Sequence, residues 1–294
     1  MTARAAGRWL RALGIAGGAI VILVAAGALV AGSVVTRPRR ADIGSPPADL
    51  PAESVSFITT TGDTLRGWYA PGRPGRGAVV LMTGIHDDRR SMIGRARFLT
   101  RAGYAVLLFD FHGEGESTER RITFGATEAV DAAAAVAFLK SRTPSERLGA
   151  IGVSMGGAAA LLGAKPLDVD ALVLESVYPT IDAAVRDRLT KYLGPLGAPL
   201  APIFLAQLRP RFGLDATALR PIDRIGAVRA PILLMAGTAD RDTRISEARA
   251  LFDRASEPKS FWAVPGAGHE DLLSYRPAEY ERRVLAFFAT TLSR

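Results

Sequence analysis

One serine in the chain stands in a sequence context that could make it a nucleophile. Residues 152–156 read GVSMG, a G-x-S-x-G motif centred on Ser154, with an apolar run, Leu148–Val153, before it and a run of small residues after it. A strand that turns sharply into a helix exposes the serine hydroxyl, and glycine on either side leaves room for the turn. A serine hydroxyl needs a base to take its proton, so the motif predicts a histidine partner.

The surrounding sequence alternates short apolar runs with helical patterns. Strands are predicted at residues 78–82, 105–109, 148–153, 172–174, 232–235 and 261–264. Helices are predicted at residues 89–102, 127–141, 155–162, 246–255 and 277–292, and an antiparallel hairpin at 54–60 and 64–69. Apolar strands separated by helices indicate an α/β fold with a mostly parallel sheet covered on both faces.

With these elements in place, the chain resembles the α/β-hydrolase superfamily from about residue 54 to its C-terminus. Residues 110–117, DFHGEGES, are similar to the D-x-x-G-x-G-x-S loop of the family, and residues 81–85, LMTGI, lie where the family has a His-Gly turn. Thr83 stands where that histidine is common. The likeness is to small serine hydrolases of the Bem46-like and prolyl-oligopeptidase-like kind. It implies an α/β-hydrolase fold with a short helical cap.

The resemblance also implies the order of the catalytic groups, which is serine, then an acid, then histidine. His269 follows the last predicted strand and is the predicted base. Asp240 follows the strand at 232–235 and matches the position of the acid, which would orient the imidazole. Two alternatives stay open for the acid: Asp242, which could instead cap the next helix, and Glu175, at the end of the strand at 172–174.

Attack on an ester carbonyl places negative charge on its oxygen, and backbone N–H groups should bind it. The resemblance assigns these donors to Ile85, after the turn glycine, and to Met155, after the nucleophile. The other two histidines, His86 and His112, do not fit the chain order and are predicted to be structural or to line the site.

About 55 residues separate the strand ending at Glu175 from the next one, and the family resemblance makes this insertion a cap over the site. Apolar residues recur there every four positions, and three prolines predict broken, short helices. That apolar face either packs on the core or forms a lid over an acyl pocket. The apolar face consists of Leu196, Leu200, Phe204 and Leu208, and the predicted substrate contacts are Tyr178, Leu200 and Phe204.

The N-terminal region carries no charge from residue 12 to residue 36, and a helix of that length rises ~37 Å, enough to cross a bilayer core of about 30 Å. The alternative is a cleaved signal peptide, since Ala26 and Ala28 offer a cleavage site. Three arginines on each side leave orientation nearly balanced, but a short basic tail favours an extracytoplasmic C-terminal part. The proline-rich residues 37–53 predict an extended spacer.

Charge and composition limit the remaining functions. The net charge is +8, but six arginines lie within the first 40 residues, which leaves 31 basic against 29 acidic residues in the rest. The domain is nearly neutral and carries no sequence motif of a nucleic-acid-binding protein, which argues against nucleic-acid binding. The absence of cysteine excludes a disulfide scaffold and a cysteine-ligated zinc site. The sequence predicts neither a metal nor a nucleotide cofactor.

The sequence therefore predicts three segments and one main function. The segments are a tail and membrane anchor or signal at 1–36, a linker at 37–53, and an α/β-hydrolase domain at 54–294 with its cap at about 177–229. The predicted function is hydrolysis of small-molecule carboxylic esters, with lipid-like esters and thioesters included, by Ser154, His269 and Asp240. The alternatives are a serine peptidase and a non-catalytic, membrane-anchored binding protein.

Overall fold

An eight-stranded sheet runs through the centre of the molecule. The computed structural model describes residues 3–293, and the side chains from Gly14 onward apart from that of Ile20. The strands of this part are β1 (Arg39–Arg40), β2 (Glu53–Ile58), β3 (Thr64–Ala70), β4 (Ala78–Met82), β5 (Ala105–Phe109), β6 (Glu114–Gly115), β7 (Leu148–Val153), β8 (Ala171–Glu175), β9 (Ile232–Gly237) and β10 (Lys259–Val264). The sheet has the order β10-β9-β8-β7-β4-β5-β3-β2; β3 pairs antiparallel with β2 and β5, and every other pair is parallel.

Helices cover both faces of this sheet. The helices of the described residues are α1 (Ala3–Val35), α2 (Ile93–Arg101), α3 (Glu128–Arg142), α4 (Met155–Leu162), α5 (Ile181–Leu193), α6 (Ala201–Leu205), α7 (Leu208–Phe212), α8 (Ile245–Arg254), α9 (Leu272–Tyr275) and α10 (Pro277–Thr291). Residues of α3, α4 and α8 belong to the core on one face, and residues of α2 and α10 to the core on the other. The α/β fold class predicted from the sequence is confirmed.

The central strands show why the sequence forms two cores. Successive side chains of a strand point to opposite faces, and β4 is apolar throughout. Val80 and Met82 enter one core, whereas Val79 and Leu81 enter the other, and all four are fully buried. Each such burial stabilises the fold by roughly 1.5–3 kcal/mol, which explains an apolar run where a half-exposed strand would alternate.

The cap consists of α5, α6, α7 and short 3₁₀ turns, as the three prolines predict. Its apolar residues do not share one face, however. Leu196 is 78% exposed, whereas Leu208 is 5% exposed and belongs to the core. Each of the three prolines lies in the first turn of a new short helix, so the four-residue spacing does not run through one regular helix. The four residues therefore do not form the single apolar face that their spacing predicts.

The N-terminal region lies against the domain. Helix α1 contains a candidate membrane span, Gly14–Val35, with a mean hydropathy of 2.5 and little of it buried. The following residues form β1, which pairs parallel with β6 in the loop after β5. The N–H groups of Ile43 and Gly44 then donate to Glu116 Oε1 at 3.1 and 3.0 Å. The predicted spacer is therefore not free, because it is hydrogen-bonded along the domain instead of separating the domain from α1.

Candidate active site

Ser154 occupies the sharp turn between β7 and α4. Its φ of +49° and ψ of −112° lie in a region that side-chain-bearing residues rarely adopt, so the surrounding packing must hold the backbone there. A Cβ on Gly152 would lie 2.6 Å from the Cα of Gly157, and one on Gly156 would lie 2.5 Å from the carbonyl oxygen of Thr83. Only glycine fits at either position, as the motif predicts.

His269 and Asp240 form a hydrogen-bonded pair at the ends of neighbouring strands. The imidazole Nδ1 lies 2.8 Å from Asp240 Oδ2, and Asp240 Oδ1 accepts the backbone N–H groups of Asp242 and Thr243 at 2.8 and 2.9 Å. Asp240 is buried and His269 is partly exposed. A carboxylate at Nδ1 favours the tautomer with its proton there, which leaves Nε2 free to accept one. His269 and Ser154 line the same cavity.

Glu175, one of the alternative acids, belongs to a different network. Its carboxylate accepts hydrogen bonds from Arg95 Nη2 at 2.6 Å and Nε at 3.1 Å, and from the hydroxyl of Tyr280. Glu175 and Arg95 are both fully buried. A buried carboxylate with these partners balances the arginine charge, so it is structural.

Asp242, the other alternative, is paired with cations of the cap. Lys191 Nζ lies 2.8 Å from its Oδ2 and Arg188 Nε 3.0 Å from its Oδ1. Burial alone would raise the pKa of Asp242, but these two cations hold it below its ordinary value. Ligand atoms of Asp240, Asp242 and His269 lie within 4.8 Å of one another, a spacing that could hold a metal ion. In this structure Asp240 and His269 are hydrogen-bonded to each other, and Asp242 forms ion pairs with Lys191 and Arg188. This arrangement suits proton transfer better than metal binding.

The predicted oxyanion donors lie beside the serine. A Cβ on Gly84 would be 3.7 Å from Ser154 Cβ, so the 83–86 loop runs close to Ser154. Ile85 and Met155 both line the cavity. Met155 begins α4, where the first backbone N–H groups have no partner within the helix and carry its positive dipole end. Both residues are thus near where an oxyanion would form.

Glu114 is hydrogen-bonded to this loop, and no role for it was predicted from the sequence. Its Oε1 accepts the backbone N–H of His86 at 2.6 Å, and Oε2 faces the Thr83 hydroxyl at 3.5 Å. Glu114 is 1% exposed, and burial raises its pKa well above the ordinary value. Burial therefore favours the neutral form of Glu114, in which it contacts the loop through hydrogen bonds.

Replacing Glu114 tests this positioning role. We expect Glu114→Ala to lower kcat for p-nitrophenyl butyrate about tenfold with KM nearly unchanged, because the His86 N–H loses its acceptor and the loop its support. Glu114→Gln keeps a neutral acceptor of the same shape and should stay within threefold of the unmodified chain. Equal losses in both variants would show that the hydrogen bond does not position the loop.

The two other histidines lie as predicted, outside the acid–base pair. His86 lines the cavity, and its Nε2 is 2.8 Å from the carbonyl oxygen of Val35. His112 is buried between Asp131, whose Oδ2 is 2.6 Å from Nδ1, and Glu128, whose Oε1 is 3.4 Å from Nε2. Burial alone would lower the pKa of His112, but the two carboxylates raise it to about 10.

The cavity in front of Ser154 has a volume of about 360 Å³, within the range of small-molecule sites. Most residues that line it are apolar. Tyr178 and Phe204 are among them, as predicted, whereas Leu200 lies half-buried in the cap and does not line the cavity. The broken cap helices again explain the difference, because Leu200 and Phe204 belong to separate turns.

One wall of the cavity comes from a part of the chain that the sequence did not connect with the site. Ala31, Gly32, Val35 and Thr36, at the C-terminal end of α1, line it together with the cap. Their residue types are those of any apolar helix, so no local signal could have identified them.

Comparison with known proteins agrees with this architecture. Residues 73–219 match the model of the serine aminopeptidase family S33. The Rv2307c protein of Mycobacterium tuberculosis is 32% identical over 263 residues, which cover 86% of this chain and 87% of the relative. The YfhR protein of Salmonella typhi is 27% identical and covers 84% of this chain and 85% of the relative.

Solved structures give the same result. The esterase Pf2001 of Pyrococcus furiosus superposes with a TM-score of 0.74 at 25% identity, over 88% of this chain and 99% of that one. A bacterial membrane phospholipase A superposes with a TM-score of 0.60 at 20% identity over 98% of this chain and 99% of that one, which shows a common fold. The chain belongs to the α/β-hydrolase superfamily. Within it, the family match and the esterase-like structure identify the protein as a hydrolase.

Proposed function

We propose that the protein is a membrane-anchored serine hydrolase that cleaves carboxylic esters through an acyl-enzyme. The observation that carries the proposal is the arrangement around one cavity. Ser154 lies on a strained turn and lines this cavity, and His269, which is hydrogen-bonded to Asp240, lines it as well. Nucleophile, base and orienting acid are the three groups that acyl transfer by a serine needs.

The proposed reaction has two halves. His269 Nε2 takes the hydroxyl proton as Ser154 Oγ forms a bond to the ester carbonyl carbon, and the backbone N–H groups of Ile85 and Met155 bind the oxyanion. The C–O bond to the alcohol then breaks, and His269 returns the proton to the leaving alcohol. Water repeats the attack on the acyl-enzyme with the same base, which releases the acid and restores Ser154.

The cavity supports an ester rather than a peptide substrate. An aminopeptidase needs a carboxylate that can bind the positively charged amino terminus of its substrate. Among the described residues that line the cavity, Asp242 is the single carboxylate, and Lys191 and Arg188 already neutralise it. An apolar cavity whose carboxylate is already paired with cations suits an uncharged acyl group better than a charged amino terminus.

Contacts of α1 support an uncleaved anchor. Ala28, at the possible signal-peptidase site, is 3% exposed, and its carbonyl oxygen accepts a hydrogen bond from Gln207 Nε2 at 3.0 Å. Cleavage there would divide the helix where it packs on the cap. The short basic tail before the span supports an extracytoplasmic position of the hydrolase domain.

Substrate comparison on the purified full chain tests the function. We expect p-nitrophenyl butyrate to be hydrolysed and a fluorophosphonate probe to label the protein, while alanine p-nitroanilide is cleaved at least 100-fold less efficiently in kcat/KM. The physical reason is that an ester needs only the nucleophile and an apolar acyl site, whereas the amino acid amide also needs a free carboxylate. Preferred cleavage of the anilide would indicate a peptidase, and neither labelling nor turnover would indicate a binding protein.

A further inference from the structure

The catalytic cavity is built partly from the end of the candidate membrane helix. Ala31 and Val35 of α1 form one wall, and Phe204 and Leu208 of the cap lie in the lining with them. The wall residues therefore belong to the same charge-free segment that predicts membrane insertion.

Specific hydrogen bonds hold this end of α1 in place. Arg211 of α7 donates from Nη1 to Ser33 Oγ at 2.8 Å and from Nη2 to the carbonyl oxygen of Leu29 at 2.7 Å. Gln207, which is buried, donates to the carbonyl oxygen of Ala28 at 3.0 Å. These bonds to the backbone and to one side chain of α1 fix the helix relative to the cap, so its position beside the cavity is part of the fold.

The length of the charge-free segment indicates where the cavity would lie relative to a bilayer. At 1.5 Å per residue, a helix needs about 20 residues to cross a hydrocarbon core of ~30 Å. Counted from residue 12, the first residue after the last arginine of the tail, 20 residues end at Ala31, which lines the cavity. If α1 spans a bilayer, the boundary of the hydrocarbon core would therefore fall at the level of the cavity.

The cap exposes apolar side chains beside α1. Tyr192 is 70% exposed, Leu193 50%, Leu196 78% and Ile203 37%. Ile203 lies in α6, the cap helix that packs against α1, and α5, which carries Tyr192 and Leu193, packs in turn on α6. Large apolar side chains grouped next to a membrane helix, with a tyrosine among them, are typical of a surface that lies in the membrane interface.

We propose that the cavity opens into the interfacial region of the bilayer and binds the acyl chain of a membrane-resident ester, with the end of α1 as one wall of the acyl site. The inference rests on the proposed ester hydrolysis and adds the substrate class, which is esters of long-chain acids taken from the lipid phase. A short, water-soluble ester would use only the part of the cavity next to Ser154.

Variants of α1 in the full chain test this inference in vesicles of a dialkyl ether phosphatidylcholine, which contains no ester. We expect Ala31→Phe, which fills the wall, to lower the ratio of kcat/KM for p-nitrophenyl palmitate to kcat/KM for p-nitrophenyl butyrate at least tenfold. Val34→Phe is the matched control, because Val34 is 62% exposed and does not line the cavity. It should leave both activities within twofold.

The outcomes separate this inference from the function on which it rests. A palmitate-to-butyrate ratio that is the same in Ala31→Phe, Val34→Phe and the unmodified chain overturns the acyl-wall proposal and leaves ester hydrolysis standing. An unmodified chain that hydrolyses neither ester and is not labelled by fluorophosphonate overturns both. If Ala31→Phe does not fold, Ala31→Leu takes its place, with a threefold fall in the ratio expected and an unchanged ratio counting against the proposal.

Discussion

Ser154→Ala is expected to lower kcat for ester hydrolysis by at least about 10⁴-fold, because the substitution removes the atom that becomes acylated. The turnover that remains would come from the oxyanion donors and from substrate binding alone. The fold should tolerate the change, since the Ser154 side chain does not cap α4 and alanine has the same Cβ at the strained turn. Initial rates with p-nitrophenyl butyrate and labelling by a fluorophosphonate probe measure the effect.

The chain offers a matched control in Ser176. It also has a φ of +49° and is buried, but it lies at the end of β8, outside the cavity lining. Ser176→Ala should retain labelling and at least a third of the activity. More than 1% residual activity in Ser154→Ala, after contaminating esterases have been excluded, would contradict the assignment of the nucleophile.

Asp240→Asn is the second substitution with a large expected effect, a fall of about 10⁴-fold in kcat. The backbone N–H groups of Asp242 and Thr243 will keep the amide oxygen of the new side chain, so its NH₂ group faces His269 Nδ1. The imidazole must then accept at Nδ1 and carry its proton on Nε2. In that tautomer Nε2 cannot take the proton of Ser154, and the rate of acylation measured by stopped flow should fall accordingly.

Glu175→Gln tests whether Glu175, the alternative to Asp240 as the catalytic acid, has a structural role. Loss of the buried carboxylate leaves Arg95 without its counter-charge, which should cost about 3 kcal/mol of stability and lower the Tm by roughly 6–12 °C. The kcat per folded molecule, normalised by active-site titration, should stay within threefold. A 10⁴-fold loss in Glu175→Gln together with an active Asp240→Asn would reverse the assignment.

Local rules were enough to predict the parts of the site that depend on neighbouring residues. The glycines around Ser154 are required by steric contact at one turn. His269 and Asp240 each follow a strand of one parallel pair, and the ends of the two strands lie at the same edge of the sheet. Parallel pairing brings these ends together whatever the rest of the chain does. The same reasoning gave the sheet, because fully apolar runs such as Leu148–Val153 can be buried only between two layers of helices.

Other features depend on contacts that no local pattern contains. Gln207 and Ala28 are 179 positions apart, and neither residue type marks the cap or the helix as a partner. Glu114 looked like one polar residue of a glycine-rich loop, yet it is buried under His86. The four-residue spacing through Leu200 did not predict a shared face, because prolines divide the segment into separate short helices. The spacing of residues in the sequence does not show how such short helices are oriented relative to one another.

The cluster around His112 couples folding to proton uptake. An unfolded histidine titrates near 6.5, whereas in the fold the pKa of His112 is about 10, so the stabilisation from its charge is complete below pH 6.5 and is lost as the pH rises towards 10. The raised pKa of buried Asp131 acts in the same direction at lower pH, and the lowered pKa of Glu128 opposes it only in acid. A serine hydrolase needs a deprotonated base, which higher pH supplies. The fold thus loses stability towards alkaline pH through a histidine that takes no part in the proposed chemistry.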